Sequence, residues 1–187
     1  VVDSLLKGSG GNLANVKDIR ERIEIPNLEI GGVDIRNSLK MNKLIRDVDY
    51  VFNLAGLTSH PNSKENPLGD LEINLEAHVS LLEVIRKYVK ESGKRIKIVF
   101  SSTRDVYGKV NENLLPVDEN YPITNMADPQ GIHNLSAEYH HLWYQNFGLQ
   151  STVLRLTNTY GPRHQMQRPD GFLNWFIKQA MNNEEIE

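Results

Sequence analysis

Short apolar runs alternate with longer amphipathic stretches along this chain. Tyr50-Val51-Phe52-Asn53-Leu54, halted by Ala55-Gly56, predicts a strand. Arg95-Ile96-Lys97-Ile98-Val99-Phe100 and Thr152-Val153-Leu154-Arg155-Leu156 predict two more. Between the first two, Leu75, Val79, Leu82, Ile85 and Val89 fall at helical steps, which predicts a helix over residues 71–90. Between the second and third, Ile132, Leu135, Tyr139, Leu142 and Trp143 trace another helical face. A last helix is predicted from Gly171 to Asn182 and an earlier one from Ser38 to Val48, with a possible strand at Leu28-Glu29-Ile30. Residues 57–70, with Pro61, Pro67 and Gly69, read as a surface loop. Gly8, Gly10 and Gly11 mark a permissive stretch near the beginning.

Strands alternating with helices of this length imply βαβ crossovers and a parallel sheet. The predicted fold class is α/β: a doubly wound, Rossmann-like parallel sheet with helices on both faces. Such sheets bind ligands at the C-terminal ends of their strands, so the residues after each strand are the ones to inspect. Asp3 follows Val1-Val2, and a carboxylate there suits a ribose diol or a solvated turn. Asp34 after Val33 is equally ambiguous. Leu54-Ala55-Gly56 lets a flat ligand approach the backbone, or makes a tight turn. Ser101-Ser102-Thr103 offers three hydroxyls to a substrate oxygen or to loop backbone. Asn158 and Arg163 follow the last strand; Arg163 suits a phosphate, although a surface role is the commoner one for arginine. His140 and His141 are adjacent and point in different directions on a helix, so no metal site is expected. His60, His78, His133 and His164 have no partner visible in the sequence.

Composition narrows the classes. The 187 residues are 39% hydrophobic and 24% charged, enough for a sizeable core. The net charge is −3, from 21 Lys and Arg against 24 Asp and Glu, so no electrostatic drive toward nucleic acid is present. No stretch reaches the ~18–20 apolar residues of a membrane helix, and neither nucleic acid nor membrane is an expected partner. The absence of cysteine excludes a disulfide framework and a thiol nucleophile and fits a cytoplasmic location.

Four segments in order then resemble the extended short-chain dehydrogenase/reductase family of NAD-dependent nucleotide-sugar epimerases and dehydratases. They are Val51-Phe52-Asn53-Leu54-Ala55-Gly56, Phe100-Ser101-Ser102-Thr103-Arg104-Asp105-Val106-Tyr107-Gly108, Pro116-Val117-Asp118-Glu119, and Leu154-Arg155-Leu156-Thr157-Asn158-Thr159-Tyr160-Gly161-Pro162-Arg163. The resemblance implies a partial NAD-binding domain over 1–160 and the start of a substrate domain over 161–187. It implies that Asp3 binds the adenosine ribose, that Asp34 and Ile35 flank the adenine, and that Leu54, Ala55, Gly56, Thr58 and Asn74 line the dinucleotide. Ser101 would sit beside the nicotinamide, Thr103 would hydrogen-bond the reacting sugar oxygen, and Asn158 with Arg163 would reach the substrate phosphates. A homodimer through helices 71–91 and 131–147 is implied, with Tyr88, Tyr139 and Trp143 as contact area.

The departures matter as much. The family's Gly-x-x-Gly-x-x-Gly turn is not seen ahead of Asp3, so the sheet is expected to be incomplete at the N-terminus and residues 1–25 to be displaced from it. The family's catalytic Tyr-x-x-x-Lys matches Gln130 and Asn134, and amides do not titrate near neutral pH. Dehydratases of the family carry an acid pair where this chain has Arg104-Asp105, so Asp105 alone makes epimerisation, decarboxylation or reduction the better fit. Two functions stay open. One is an epimerase-like enzyme that reversibly oxidises a sugar hydroxyl with bound NAD, impaired in proton transfer. The other is a non-catalytic module that binds a nucleotide or nucleotide sugar. For residues 1–187 alone, no measurable turnover and at best weak NAD binding are expected.

Overall fold

A computed structural model of the chain describes residues 1–6, 11–16, 32–164 and 172–186. Its centre is a three-stranded parallel sheet in sequence order: β1 (Tyr50–Asn53), β2 (Lys97–Thr103) and β3 (Gln150–Leu156). Register sets Asn53 beside Phe100 and Thr103 beside Leu156, so all three strands point their C-terminal ends the same way. The parallel pairing follows from the helical crossovers between the strands. Leu28–Ile30, Gly8 and Gly10 lie outside the described residues. Val1–Asp3 stand apart from the sheet, with the Val33 amide donating to the Asp3 carbonyl at 3.3 Å.

Helix α1 (Ser38–Leu44) is capped by the Asn37 side chain and buries Met41. The stretch expected to be a loop instead holds two short helices, α2 (His60–Glu65) and α3 (Pro67–Leu71). Its prolines start helices rather than break them. Ser59 and Asn66 accept from backbone N–H groups as N-caps, and each proline occupies the first turn, where its missing N–H costs nothing. From α3 the chain passes through a π-turn (Glu72–Glu76) into α4 (Ala77–Ser92), which ends at Gly93 with φ +70°. Helix α5 (Pro129–Trp143) bridges β2 and β3, and α6 (Phe172–Met181) lies last.

Helices α4 and α5 pack on one sheet face. Phe100 of β2 stacks on His141 of α5 with ring centroids 4.4 Å apart, and meets His78 of α4 edge-on at 4.8 Å. The apolar core continues through Leu81, Leu82, Ile85, Ile96, Ile98 and Leu149 to Val33, Met41 and Ile45. No described helix covers Phe52 or Leu154 on the opposite face, where Phe52 is 66% exposed. Among the described residues, no helix is long and apolar enough to cross a membrane.

The face of α5 that turns inward is not the one its apolar residues mark. Gln130, Asn134, Ala137, Glu138 and His141 are buried, whereas Ile132, Tyr139, Leu142 and Trp143 are exposed. The inward polar groups are tolerated because most have partners. Glu138 accepts from Ser102 of β2 and from Arg155 of β3, with Arg155 Nη2 2.8 Å and Nε 3.1 Å from Glu138 Oε2. The guanidinium also lies 4.7 Å above the Tyr107 ring. That fork ties α5 to both strand ends just beneath the cleft described next.

Candidate functional site

Beyond the C-terminal ends of the three strands lies a cleft of about 670 Å3. The end of β1 contributes Leu54, Ala55, Gly56 and Thr58 to its wall; the end of β2 contributes Ser101, Thr103 and Asp105. Helix α5 contributes Gln130 and Asn134, the π-turn contributes Asn74, and the segment after β3 contributes Asn158 and Arg163. Parallel strands ending together on one side make this convergence a consequence of the fold. Asp3, Asp34 and Ile35 are not in this wall. The Asp3 carboxylate accepts from its own neighbour, Leu5 N–H, at 2.7 Å. Asp34 is forked by Arg36, with Nη2 at 2.7 Å, and that guanidinium holds the carboxyl below its ordinary pKa.

Local bonds fix the wall. Asn74 Oδ1 accepts from Leu57 N–H at 2.8 Å, and its Nδ2 donates to the Leu57 carbonyl at 3.1 Å. Its Nδ2 also donates to the buried Asp70 carboxylate at 3.0 Å, whose second oxygen pairs with His133 Nδ1 at 2.6 Å. Gly56 fits closely here, because a Cβ on it would stand 3.1 Å from Asn74 Oδ1 and press on that side chain. Gly131 fits as closely across the cleft, where a Cβ would meet the Asp105 carbonyl at 3.0 Å. Thr103 Oγ1 donates to Asp105 Oδ2 at 2.5 Å and accepts from Asp105 N–H at 3.2 Å.

The amide pair is built into this framework. Gln130 is 4% exposed. Its Nε2 donates to the Leu57 carbonyl at 3.1 Å, which orients the amide and leaves Oε1 buried with no hydrogen-bond partner among the described residues. Asn134 Nδ2 donates to the Gln130 carbonyl at 2.9 Å. Neither group exchanges protons near neutral pH, but Oε1 is an acceptor waiting for a donor.

Two histidines of this wall, His60 and His164, were overlooked in the sequence. His60, from the segment expected to be a loop, lines the cleft and pairs with Asp128 at 2.7 Å. Its partner stands 68 residues away, and no local spacing signals such a pair. His78 and His133 likewise have partners, Asn53 and Asp70.

Comparison with known proteins matches this architecture. Residues 6–187 match the NAD dependent epimerase/dehydratase family. A putative UDP-glucose 4-epimerase of Methanocaldococcus jannaschii is 32% identical over 98% of this chain and 55% of its own length. CDP-paratose 2-epimerase of Salmonella typhi is 32% identical over 83% of this chain and 49% of its own length. The structure of UDP-N-acetylglucosamine 4-epimerase from Methanobrevibacter ruminantium, in complex with UDP-N-acetylmuramic acid, superposes with a TM-score of 0.76. It is 29% identical, over 98% of this chain and 55% of that one. The Thermus thermophilus UDP-glucose 4-epimerase complex with NAD gives 0.70 at 29% identity, over 82% of this chain and 49% of that one. The chain thus spans about half the length of the relatives it matches. With the strand-end motifs, the parallel sheet and the matched region agreeing, this chain belongs to the NAD-dependent epimerase/dehydratase family.

Proposed function

We propose that this chain forms the nicotinamide- and sugar-facing part of an NAD-dependent nucleotide-sugar site of epimerase type, in which residues 130 and 134 bind rather than transfer protons. The observation that carries this reading is the convergence of Thr103, Gln130 and Asn134 on the cleft walled by Gly56 and Asn158. The residues present fit a dinucleotide. The glycine at 56 leaves space beside Asn74, and the orphaned Gln130 Oε1 suits an amide or hydroxyl donor. Leu54, Ala55, Gly56, Thr58, Asn74 and Ser101 would hold NAD, which when bound supplies the hydride chemistry of the family. Thr103 would hold the sugar hydroxyl, and Asn158 with Arg163 the phosphates. Asp3, Asp34 and Ile35, outside the cleft wall, would meet the adenosine end. Asp105 without a second acid beside it favours epimerisation over dehydration.

A second reading, a non-catalytic nucleotide-sugar module, is favoured by the same amide pair. Calorimetric titration with NAD and with UDP-glucose, beside a turnover assay, tests both. Saturable heat from UDP-glucose that is lost in Asn158→Ala supports the site; no saturable heat from either ligand overturns it. Turnover separates the enzyme from the module.

A cytoplasmic location, where NAD and nucleotide sugars are both supplied, and a homodimer through α4 and α5 complete the proposal. Tyr139 and Trp143 are 63% and 54% exposed, one helical turn apart, and large exposed aromatics favour an interface. Tyr88 packs against the core instead.

A further inference from the structure

His60 is held at the edge of the cleft by carboxylates from two other elements. Its Nδ1 lies 2.7 Å from Asp128 Oδ2, and the Asp128 side chain is 5% exposed. The other Asp128 oxygen caps α5 by accepting from Gly131 N–H at 3.0 Å, so this carboxylate is fixed by the helix it starts. An ionised carboxylate only accepts, which assigns the ring proton of a neutral His60 to Nδ1 and the lone pair to Nε2. Nε2 is 3.5 Å from Asp105 Oδ2, the oxygen that accepts from Thr103 Oγ1. That separation is too long for a strong hydrogen bond, and His60 shares the cleft wall with Thr103 and Asp105. The charged groups around the ring are Asp128 from the start of α5 and Asp105 from the turn after β2, with Arg104 Nε 3.9 Å from Asp105 Oδ1.

We propose that His60 is the proton-exchanging residue of this cleft, with Nε2 taking and returning the proton of a sugar hydroxyl held at Thr103, and Asp128 as its positioning residue. The inference rests on the reading of the cleft as a nucleotide-sugar site. It supplies what Gln130 and Asn134 cannot. The cleft residues named above would hold NAD, which would supply the hydride acceptor for the sugar carbon. His60 Nε2 would take the hydroxyl proton, the O–H electron pair becoming the second carbon–oxygen bond, and would return that proton when the carbonyl is reduced. A carboxylate behind the imidazole stabilises the imidazolium formed on the way.

The test uses the full chain with UDP-glucose as the probe and needs no turnover. Ring nitrogens of 15N-histidine-labelled protein are followed by NMR during titration, with the His60 signals identified by their loss in His60→Asn. In parallel, calorimetry in two buffers of different ionisation enthalpy counts protons exchanged on binding. Saturable binding with a shift of His60 Nε2, and proton exchange that vanishes in His60→Asn, supports the assignment. Asp128→Asn, which preserves the helix cap but not the charge, is expected to diminish both signals. Binding with the His60 ring unmoved, or proton exchange unchanged in His60→Asn, overturns the assignment while leaving the cleft's ligand intact. Absence of UDP-glucose binding overturns the nucleotide-sugar reading and the assignment with it.

Discussion

Acid should unfold this protein through two buried histidines, and one substitution should halve the effect. His78 and His141 flank Phe100 in the core. Burial pushes their pKa values down from 6.5, to about 4 for His78 and about 3 for His141, with the neighbouring imidazoles adding to the effect at His141. The folded state therefore binds fewer protons than the unfolded chain. Their contribution to stability is complete above pH 6.5 and is lost as pH falls toward 4 and 3. At pH 5 nearly every unfolded imidazole is protonated and nearly every folded one is not, so each site costs about 2 kcal/mol, and the pair about 4 kcal/mol. That is a large share of the ~5–15 kcal/mol available to a domain. Glu83 does not confuse the window. Arg86 and the Tyr144 hydroxyl lower its pKa from 4.5 to about 2, so its contribution is present above pH 4.5 and is lost only below. His141→Phe keeps the stack on Phe100 and removes both a titrating group and Nε2, which is buried with no hydrogen-bond partner among the described residues. Urea denaturation followed by circular dichroism at pH 7.5 and pH 5 measures the loss. The expected fall is about 4 kcal/mol for the natural chain and about 2 kcal/mol for His141→Phe. Equal falls in the two proteins would refute the assignment of the acid sensitivity to His141.

Other outcomes follow from the same contacts. Glu138→Gln leaves the Arg155 guanidinium without its carboxylate and should cost about 3 kcal/mol in urea denaturation at pH 7.5, toward the low end for a buried pair because Arg155 keeps some solvent. Gly56→Ala places a methyl group 3.1 Å from Asn74 Oδ1, displacing the side chain that holds Leu57, and should weaken NAD binding about tenfold in calorimetry. Trp143→Ser with Tyr139→Ser should convert a dimeric mass in light scattering to a monomeric one; a monomeric mass for the natural chain removes the dimer.

The strands were readable because β-branched and apolar runs bounded by turn residues have few other uses, and the parallel order followed from what lay between them. The strand-end positions were readable for the same reason, since the fold sends every strand end to one side. Three things were not. Helices α2 and α3 were hidden because their prolines and caps look like loop residues until the helix they start is seen. The buried face of α5 was not marked by its apolar residues because the strand ends beneath it offer Ser102 and Arg155, so Glu138 went in while Tyr139 and Trp143 stayed out. His60 was invisible because its carboxylates come from Asp105 and Asp128, far along the chain, and only folding brings the three together.

The length of α5 separates the chemistry of the cleft from the integrity of the fold. Its last inward residue, His141, is a stacked member of the core. One turn earlier, Glu138 clamps the ends of two strands. Only the first two inward residues, Gln130 and Asn134, meet the cleft. Their bonds run to backbone carbonyls, at Leu57 and at Gln130 itself, and not to the strands. Exchange at 130 or 134 therefore changes the groups offered to a ligand while leaving the clamp and the stack untouched, whereas exchange at 138 or 141 is felt by the whole domain. An amide pair at the two cleft positions is thus compatible with the parallel sheet and the packing of α5 upon it. What it alters is where a proton can go, and His60 is an imidazole on the cleft wall fixed by the same Asp128 that starts the helix.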